Sequence, residues 1–434
     1  MKAAYVRVLL GAALGAAALA IVHVVLLSTY WNSEEGTYAL TARLIISGHD
    51  LYRQTVAAQP PGVFLAGAGL LAIHDSLEWL RLGVAGFQLT AGLLAAQIVW
   101  RTTGSFAASV ITPAATLLTP WAVQEHGALT PELISLPFLL GALLACRRER
   151  TLPVAGMLCG LLPLIKVPDL LPAIVIVLCS VDARRAGAWA IGTLVLGVAA
   201  TFALAGDAFW REAFVAQSQA KLRSVAIVKG WWLQAGWTLG GLVVCCVCAF
   251  GLRARSLDWP QLRAVLLTGV AMLVTLLTVL KDGTGLNVTV PVEAVLVPAA
   301  VTGVVLAWRA AARSRASGGG QAAPRWVAVL TVVAAALTLA QTVSLLASPK
   351  DPAPFERIGS ARVGWAEGMS RTQFDAAVRA ARACPAGSVY GGQTLIAFAA
   401  GRQVPDDQPD GFITAAPALH AVQERIASVR DICG

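Results

Sequence analysis

"YWNSEEGTYALTARLIISGHDLYRQTVAAQPPG", residues 30–62, is the stretch on which the reading of this chain turns. An apolar run at about 8–28, long enough to cross a bilayer, precedes it. Just beyond that run stand two adjacent glutamates, Glu34 and Glu35, and a diproline, Pro60-Pro61, closes the stretch. A carboxylate pair so close to hydrocarbon has two readings. Asn32 lies three residues before Glu35, which fits a capping box, and acids in a first helical turn complement the helix dipole. Alternatively, the pair does chemistry at the membrane surface, where ionisable groups are costly and tend to be functional.

Working outward, 57% of the 434 residues are apolar and 13% are charged, about half the roughly 25% of a soluble domain. Length alone suggests about three soluble domains. Repeated apolar runs of about 15–22 residues point instead to one helical bundle in a membrane, where backbone polar groups must be satisfied internally. The formal net charge is +9. Most of the basic residues are arginines, in short clusters between apolar runs and not along one stripe. That is the positive-inside pattern, and it excludes nucleic acid as the partner. Lys2 and Arg7 before the first run also fit a cleavable signal peptide; the length of the run and the spans after it favour an uncleaved first span.

Eleven runs qualify as spans: 8–28, 79–100, 105–121, 131–146, 152–165, 168–181, 187–206, 235–252, 262–280, 290–308 and 326–347. With the N-terminus inside, the clusters at Arg101, Arg147–Arg150, Arg184–Arg185, Arg253–Arg263 and Arg309–Arg325 all fall on the cytoplasmic side. The run "PGVFLAGAGLLAI", 61–73, is too short to cross and would invert this parity. It is expected to be an interfacial or re-entrant helix on the outer face. The first loop, 29–78, is then extracytoplasmic, as are the loop 122–131, the segment 207–234 and everything beyond 347. In 207–234, Lys221, Arg223 and Lys229 form a solvated face, with Trp231 and Trp232 as interface anchors.

The expected fold class is an α-helical polytopic membrane protein with about eleven transmembrane helices, extracytoplasmic juxtamembrane helices and a small C-terminal α/β extracytoplasmic domain. The membrane domain covers 1–347 and the soluble domain 348–434. In the tail, "RTQFDAAVRAARA" has helical periodicity, "GSVYGG" reads as a short strand, and "ALHAVQERIASVRDI" as a second helix. Six of the eight cysteines lie in or near spans and read as small apolar residues. Cys384 and Cys433 stand in the tail, in a compartment that permits disulfides, and are expected to pair.

The first-loop stretch resembles the signature of the GT-C superfamily of integral membrane glycosyltransferases, in its polyprenyl-phosphate-sugar-dependent branch. That branch includes protein O-mannosyltransferases and lipid A aminoarabinose transferases. The matching residues are Glu34-Glu35, Gly36, Tyr38, Ala42-Arg43, Gly48, Leu51-Tyr52 and Pro60-Pro61. Glu34 departs from the pattern, since the family commonly has Asp there. Pro131-Glu132 is similar to the family's second outer-loop acid at the start of a span. "GLLPLIKVPDLLP", 160–172, resembles its Leu-x-Lys turn, here with Lys166. "KDGTGLNVTVPVEAVLVPAA", 281–300, resembles a late loop of the form Lys-x-Gly…Asn…Glu, here Lys281, Asn287 and Glu293.

The resemblance implies transfer of a sugar from a polyprenyl-phosphate donor to an acceptor hydroxyl on the outer face. Glu34 would be the base, because a hydroxyl is a poor nucleophile at neutral pH unless a carboxylate takes its proton. Glu35 would orient Glu34 or the acceptor, or cap the helix. The lipid phosphate left behind favours nearby Lys or Arg, which singles out Lys166 and Lys281. Arg43 is a phosphate ligand or a salt-bridge partner. Tyr52, Glu132, Asn287 and Glu293 complete the expected substrate-binding set, and His126 beside Glu125 is a proton acceptor or a loop histidine without a role. No cofactor is implied; paired acids can hold a divalent ion, but a monophosphate donor gives little need of one. The expected acceptor is a wall polysaccharide, glycolipid or protein. A transporter or lipid flippase is the competing class, against which stand the absence of a repeat between the two halves and charges that cluster to one side instead of the midplane. A non-catalytic scaffold of the same fold is the third.

Overall fold

The computed structural model describes residues 2–26, 33–219, 222, 224–251, 259–280, 286–316, 325–347, 356–358, 361–363, 371–385, 388–391 and 393–409. Helix α1 (Lys2–Leu26) leads into a first loop that carries α2 (Ser33–Ile46) and the short α3 (Gly62–Leu71). There follow α4 (Leu77–Thr103), α5 (Phe106–Leu117), the five-residue α6 (Pro120–Gln124), α7 (Pro131–Ala145), α8 (Leu152–Ile165), α9 (Leu170–Leu178) and α10 (Ala183–Ala205). Next, α11 (Asp207–Trp210) continues as a π-helical turn over Arg211–Ala216. The bundle ends with α12 (Val225–Gly251), α13 (Trp259–Thr275), α14 (Thr289–Ala316) and α15 (Arg325–Ala347). In the tail, β1 (Glu356–Ile358) and β2 (Ala361–Val363) form an antiparallel pair, followed by α16 (Arg371–Arg382) and α17 (Thr394–Ala400).

Local chemistry sets the ends. Ser76 accepts the Trp79 N–H to cap α4, which stops at Gly104 in the left-handed region, φ +62°. Asp182 caps α10 through the Arg185 N–H. At the end of α2, Gly48 has φ +93°; its N–H reaches the Ile45 carbonyl while the His49 N–H reaches that of Leu44. This is a Schellman stop, and it turns the chain sharply into the rest of the first loop.

The expected spans overlap helices, with 105–121 divided between α5 and α6. Among the described residues, six have the length and apolarity to cross a membrane: Ala4–Val24, Leu77–Thr103, Ala183–Ala205, Val228–Val247, Pro260–Thr278 and Thr289–Arg309. Helices α5, α7, α8 and α9 are shorter, at 12, 15, 14 and 9 residues. Helices α5, α7 and α8 each continue through an internal proline, and the extended Lys166 breaks the chain between α8 and α9. Helix α14 is the core of the bundle, with 83% of its apolar window buried; α10 lies at the rim with 6%. Yet α10 packs closely on α8. A Cβ at Gly156 or Gly160 would stand 2.4 Å from the Ala186 or Ala190 carbonyl oxygen, so these glycines let the two backbones touch.

Arg101, Arg147 and Arg309 meet at one end of the bundle. Arg101 donates to the Leu144 carbonyl, Arg147 to that of Cys179 and Arg309 to that of Thr103, satisfying the bare carbonyls of helix C-termini. The first loop and the tail meet at the other end. The Gln408 side chain accepts the Val56 N–H and donates to the Gln54 carbonyl, and α17 lies along α2.

Several expectations change. Helix α3 is short, as expected, with Pro61 at its N-cap. Helix α12 begins at Val225, ten residues before the expected span, so Lys229, Trp231 and Trp232 are helical. "GSVYGG" forms no strand among the described residues; Tyr390 makes a single backbone pair with Gln403. Cys384 is disulfide-bonded. Cys433, the second tail helix, Lys221, Arg223, Lys281 and Asn32 lie outside the described residues.

Candidate active site

Three consecutive residues at the start of α2 face three different neighbours, because each step along a helix turns by about 100°. Glu35 points inward and is fully buried. Arg81 of α4 grips it bidentately: Nε donates at 2.9 Å to Oε1 and 3.2 Å to Oε2, and Nη2 donates to Oε2. Glu34 is half-buried and accepts from Asn287 Nδ2 at 3.4 Å. Gly36 faces the tail, where an added Cβ would lie 2.1 Å from the Leu395 nitrogen and 2.5 Å from its Cα. Backbone cannot yield as a side chain can. Gly36→Ala is therefore expected to unseat α17 from α2, read as a faster proteolytic cut near residue 394 than in wild type; an unchanged digestion pattern contradicts the contact.

Behind Glu35, the other side of Arg81 faces His126. Burial, with His23 and Arg81 adding to it, pushes the His126 imidazole down to about 4. It is neutral at physiological pH, with its ring edge-on to His23 at 5.7 Å. Its neighbour Glu125 is buried too.

A second cluster forms where α7 begins and α8 ends. Lys166 occupies the extended residue between α8 and the turn Val167–Asp169. Its Nζ donates at 2.6 Å to Glu132 Oε1, in the first turn of α7. Asp169 is buried beside them and bonds Ser135. Glu132 Oε2 and Asp169 Oδ2 are buried without a hydrogen-bond partner among the described residues, an arrangement of two acids and one base that keeps acceptor capacity. The diproline abuts this turn: a Cβ on Gly62 would lie 2.7 Å from the Leu164 carbonyl oxygen.

Arg43, Tyr52 and Glu293 make contacts within the protein. Arg43 bonds Asp75 through Nε and Nη2, bonds the Phe398 carbonyl through Nη1, and lies 3.8 Å over the Phe398 ring; of its two readings, the salt-bridge partner is the one seen. Tyr52 sits at φ +69° and is buried. Its hydroxyl donates to the Gln59 carbonyl at 2.8 Å and its ring packs on Phe209, so it folds the loop back on itself. Glu293, one turn into α14, accepts the N–H groups of Trp121 and Ala122 at the head of α6.

Sequence reasoning did not single out Arg81, Asp169 or Glu212. Glu212 lies in the π-helical turn and accepts the Ala57 N–H at 3.0 Å. Burial raises its carboxyl to about 8, against the opposing pull of that N–H and of Arg211. The folded chain thus keeps a proton that the unfolded chain releases near the ordinary glutamate value of 4.5. Stability therefore falls as pH rises from about 4.5 to about 8. Glu212→Gln keeps an acceptor for Ala57 without the titration. It is expected to melt at nearly the wild-type temperature at pH 5 and above it at pH 9; parallel melting curves at both values contradict the burial effect.

No protein-family model and no curated protein matches the sequence. Solved structures do match the fold. ArnT from Cupriavidus metallidurans in the apo state superposes with a TM-score of 0.61 at 17% identity, over 90% of this chain and 84% of that one. The same protein bound to undecaprenyl phosphate gives 0.60 at 16%, over 96% and 89%. The apo oligosaccharyltransferase of Archaeoglobus fulgidus gives 0.50 at 13%, over 96% of this chain and 69% of that one. Over most of its length this chain therefore shares the fold of ArnT from Cupriavidus metallidurans.

Proposed function

We propose that the protein is a membrane glycosyltransferase that moves a hexose or pentose from a polyprenyl-phosphate donor to an acceptor hydroxyl at the outer face. The observation that carries the proposal is Glu34: a carboxylate at the head of the first-loop helix, bonded by Asn287, in a fold whose ArnT example holds undecaprenyl phosphate. Glu34 takes the proton of the acceptor hydroxyl as its oxygen bonds to the anomeric carbon. The bond from that carbon to the phosphate oxygen breaks, and polyprenyl phosphate leaves with the electron pair. Asn287 holds the Glu34 carboxylate, and Glu35, locked to Arg81, fixes the first turn of α2 from behind. Lys166, between Glu132 and Asp169, and Lys281 in the late loop are the proposed partners of the phosphate. The loop end of the bundle then faces outward and the arginine end faces the cytoplasm. Arg43, Tyr52 and Glu293 act by positioning the loops around this site.

Lipid binding tests the donor half of the proposal. Undecaprenyl phosphate is expected to raise the melting temperature of the detergent-purified protein, and undecaprenol, which lacks the phosphate, to leave it unchanged. Equal effects of the two lipids would contradict a site built for the phosphate.

A further inference from the structure

Arg7, Gly11, Gly15, Ala18 and Val22, spaced three or four apart, form a buried stripe along α1. The stripe faces α4 and α5: a Cβ at Gly15 would stand 2.6 Å from Leu89 Cδ1, and one at Gly11 3.4 Å from Pro113 Cγ. Small and apolar residues suit such a seam, and Arg7 is the exception. A snorkelling arginine lies along an apolar surface with its charged head in water. Arg7 is instead turned into the packing face, with 8% of its surface exposed.

Two contacts hold it there. Nη2 donates to Gln97 Oε1 at 2.6 Å, and the guanidinium carbon lies 4.4 Å from the centre of the Trp100 ring. Neither brings a negative charge. The ion pairs among the described residues, Arg43–Asp75, His49–Asp407, Arg81–Glu35, Lys166–Glu132 and Arg211–Glu212, leave Arg7 without an acid, and its Nη1 is buried with no acceptor. A buried charge without a counter-charge is costly, and a guanidinium fork matches two oxygens of a phosphate. Position says which anion is at hand. Arg7 stands three residues inside the apolar span Ala4–Val24, and Gln97 and Trp100 lie in the last two turns of the span Leu77–Thr103. Trp100 is followed by Arg101, one of the three residues that mark the arginine end. Ala4 and Leu10, about one turn to either side of Arg7, are exposed, and so is Tyr5, an aromatic of the kind that sits at headgroup level. The seam therefore opens to the bilayer near its surface, where the abundant anion is the phosphate of a lipid.

We propose that the seam between α1 and α4 at Arg7 binds the headgroup of an anionic phospholipid from the leaflet at the arginine end. Arg7 takes the phosphate, while Gln97 and Trp100 hold the guanidinium in place. Basic pockets between helices at a membrane surface are suited to such headgroups. The site lies at the opposite end of the bundle from Glu34 and does not depend on the transfer reaction. Its effect is to anchor the first span to the lipid of that leaflet.

Titration of the full chain in maltoside micelles with dioleoyl phosphatidylglycerol tests the site, with the melting temperature read at each lipid concentration. Wild type is expected to be stabilised, and dioleoylglycerol, which has the same chains and no phosphate, to leave it unchanged. Arg7→Gln is expected to need about tenfold more phosphatidylglycerol to reach half of the shift. Arg7→Lys keeps the charge and loses the fork, so its midpoint is expected between those two; it carries the test if Arg7→Gln does not fold. Arg150→Gln removes an exposed arginine of the same end and is expected to titrate as wild type. Equal effects of the two lipids overturn the site, as do Arg7 variants with the wild-type midpoint. Equal weakening by Arg150→Gln also overturns it, since the attraction is then one of overall charge. Stabilisation by glycerol 3-phosphate at the same concentrations as phosphatidylglycerol overturns the lipid as the occupant.

Discussion

Glu34→Gln is expected to lower sugar transfer by about 10²- to 10⁴-fold, the range for loss of a general base. The amide has nearly the same shape and can still bond Asn287, which donates to Glu34 Oε2 in the native protein, so the fold and the lipid affinity are expected to survive. The loss should therefore appear in kcat and leave donor binding intact. Glu34→Asp removes one methylene and keeps the base, so its activity is expected to fall between those of wild type and Glu34→Gln. Initial rates with saturating donor read both variants. Full activity in Glu34→Gln would assign the proton to another group and leave Glu34 as a helix-start acid.

The second large effect is on stability. Arg81→Met strands the Glu35 carboxylate, which has no exposure and loses a bidentate partner. Breaking a buried ion pair from one side costs roughly 3–5 kcal/mol, so the variant is expected to melt well below wild type or to fail to accumulate. Glu35→Gln together with Arg81→Met removes both charges and is expected to recover most of that loss. A double variant no better than the single one would show that Arg81 matters through packing in α4 and not through Glu35. The cycle also separates the two glutamates. Glu35 is expected to act on the fold, and Glu34, under the proposed function, on the reaction.

That separation was only half legible in the sequence. The pair announced itself by lying beside an apolar run, but two neighbours on a helix point about 100° apart. Which one turns inward depends on α4, and the partner is 46 positions away. Arg81 itself was hidden inside the run 79–100, which averaged hydropathy reads as uniform span. Lys166 and Glu132 were visible because each stands at the edge of an apolar run. Asp169 was not, although "KVPD" places it three residues from Lys166, because nothing local says that it is buried. Glu212 shows the same limit, since its ligand is the backbone of a loop 155 positions away.

The helices themselves were legible because a membrane restricts the choice of backbone structure. The runs 131–146 and 152–165 match α7 and α8 nearly to the residue, whereas 105–121 divides into α5 and α6, with Pro120 opening the second helix. Gly36 could be read as part of a family pattern; its physical reason, the backbone of α17 pressed against it, appears only once the tail is docked.

The most direct test is donor turnover. The purified protein is offered a panel of polyprenyl-phosphate sugars, with and without a cell-wall extract as acceptor, and free polyprenyl phosphate is followed by mass spectrometry. The proposal expects release from at least one donor, dependent on acceptor and lost in Glu34→Gln; the donor consumed then identifies the sugar. Every donor remaining intact, with lipid carrier or solute moving across reconstituted vesicles instead, would contradict the transferase and identify a transporter built on the same fold.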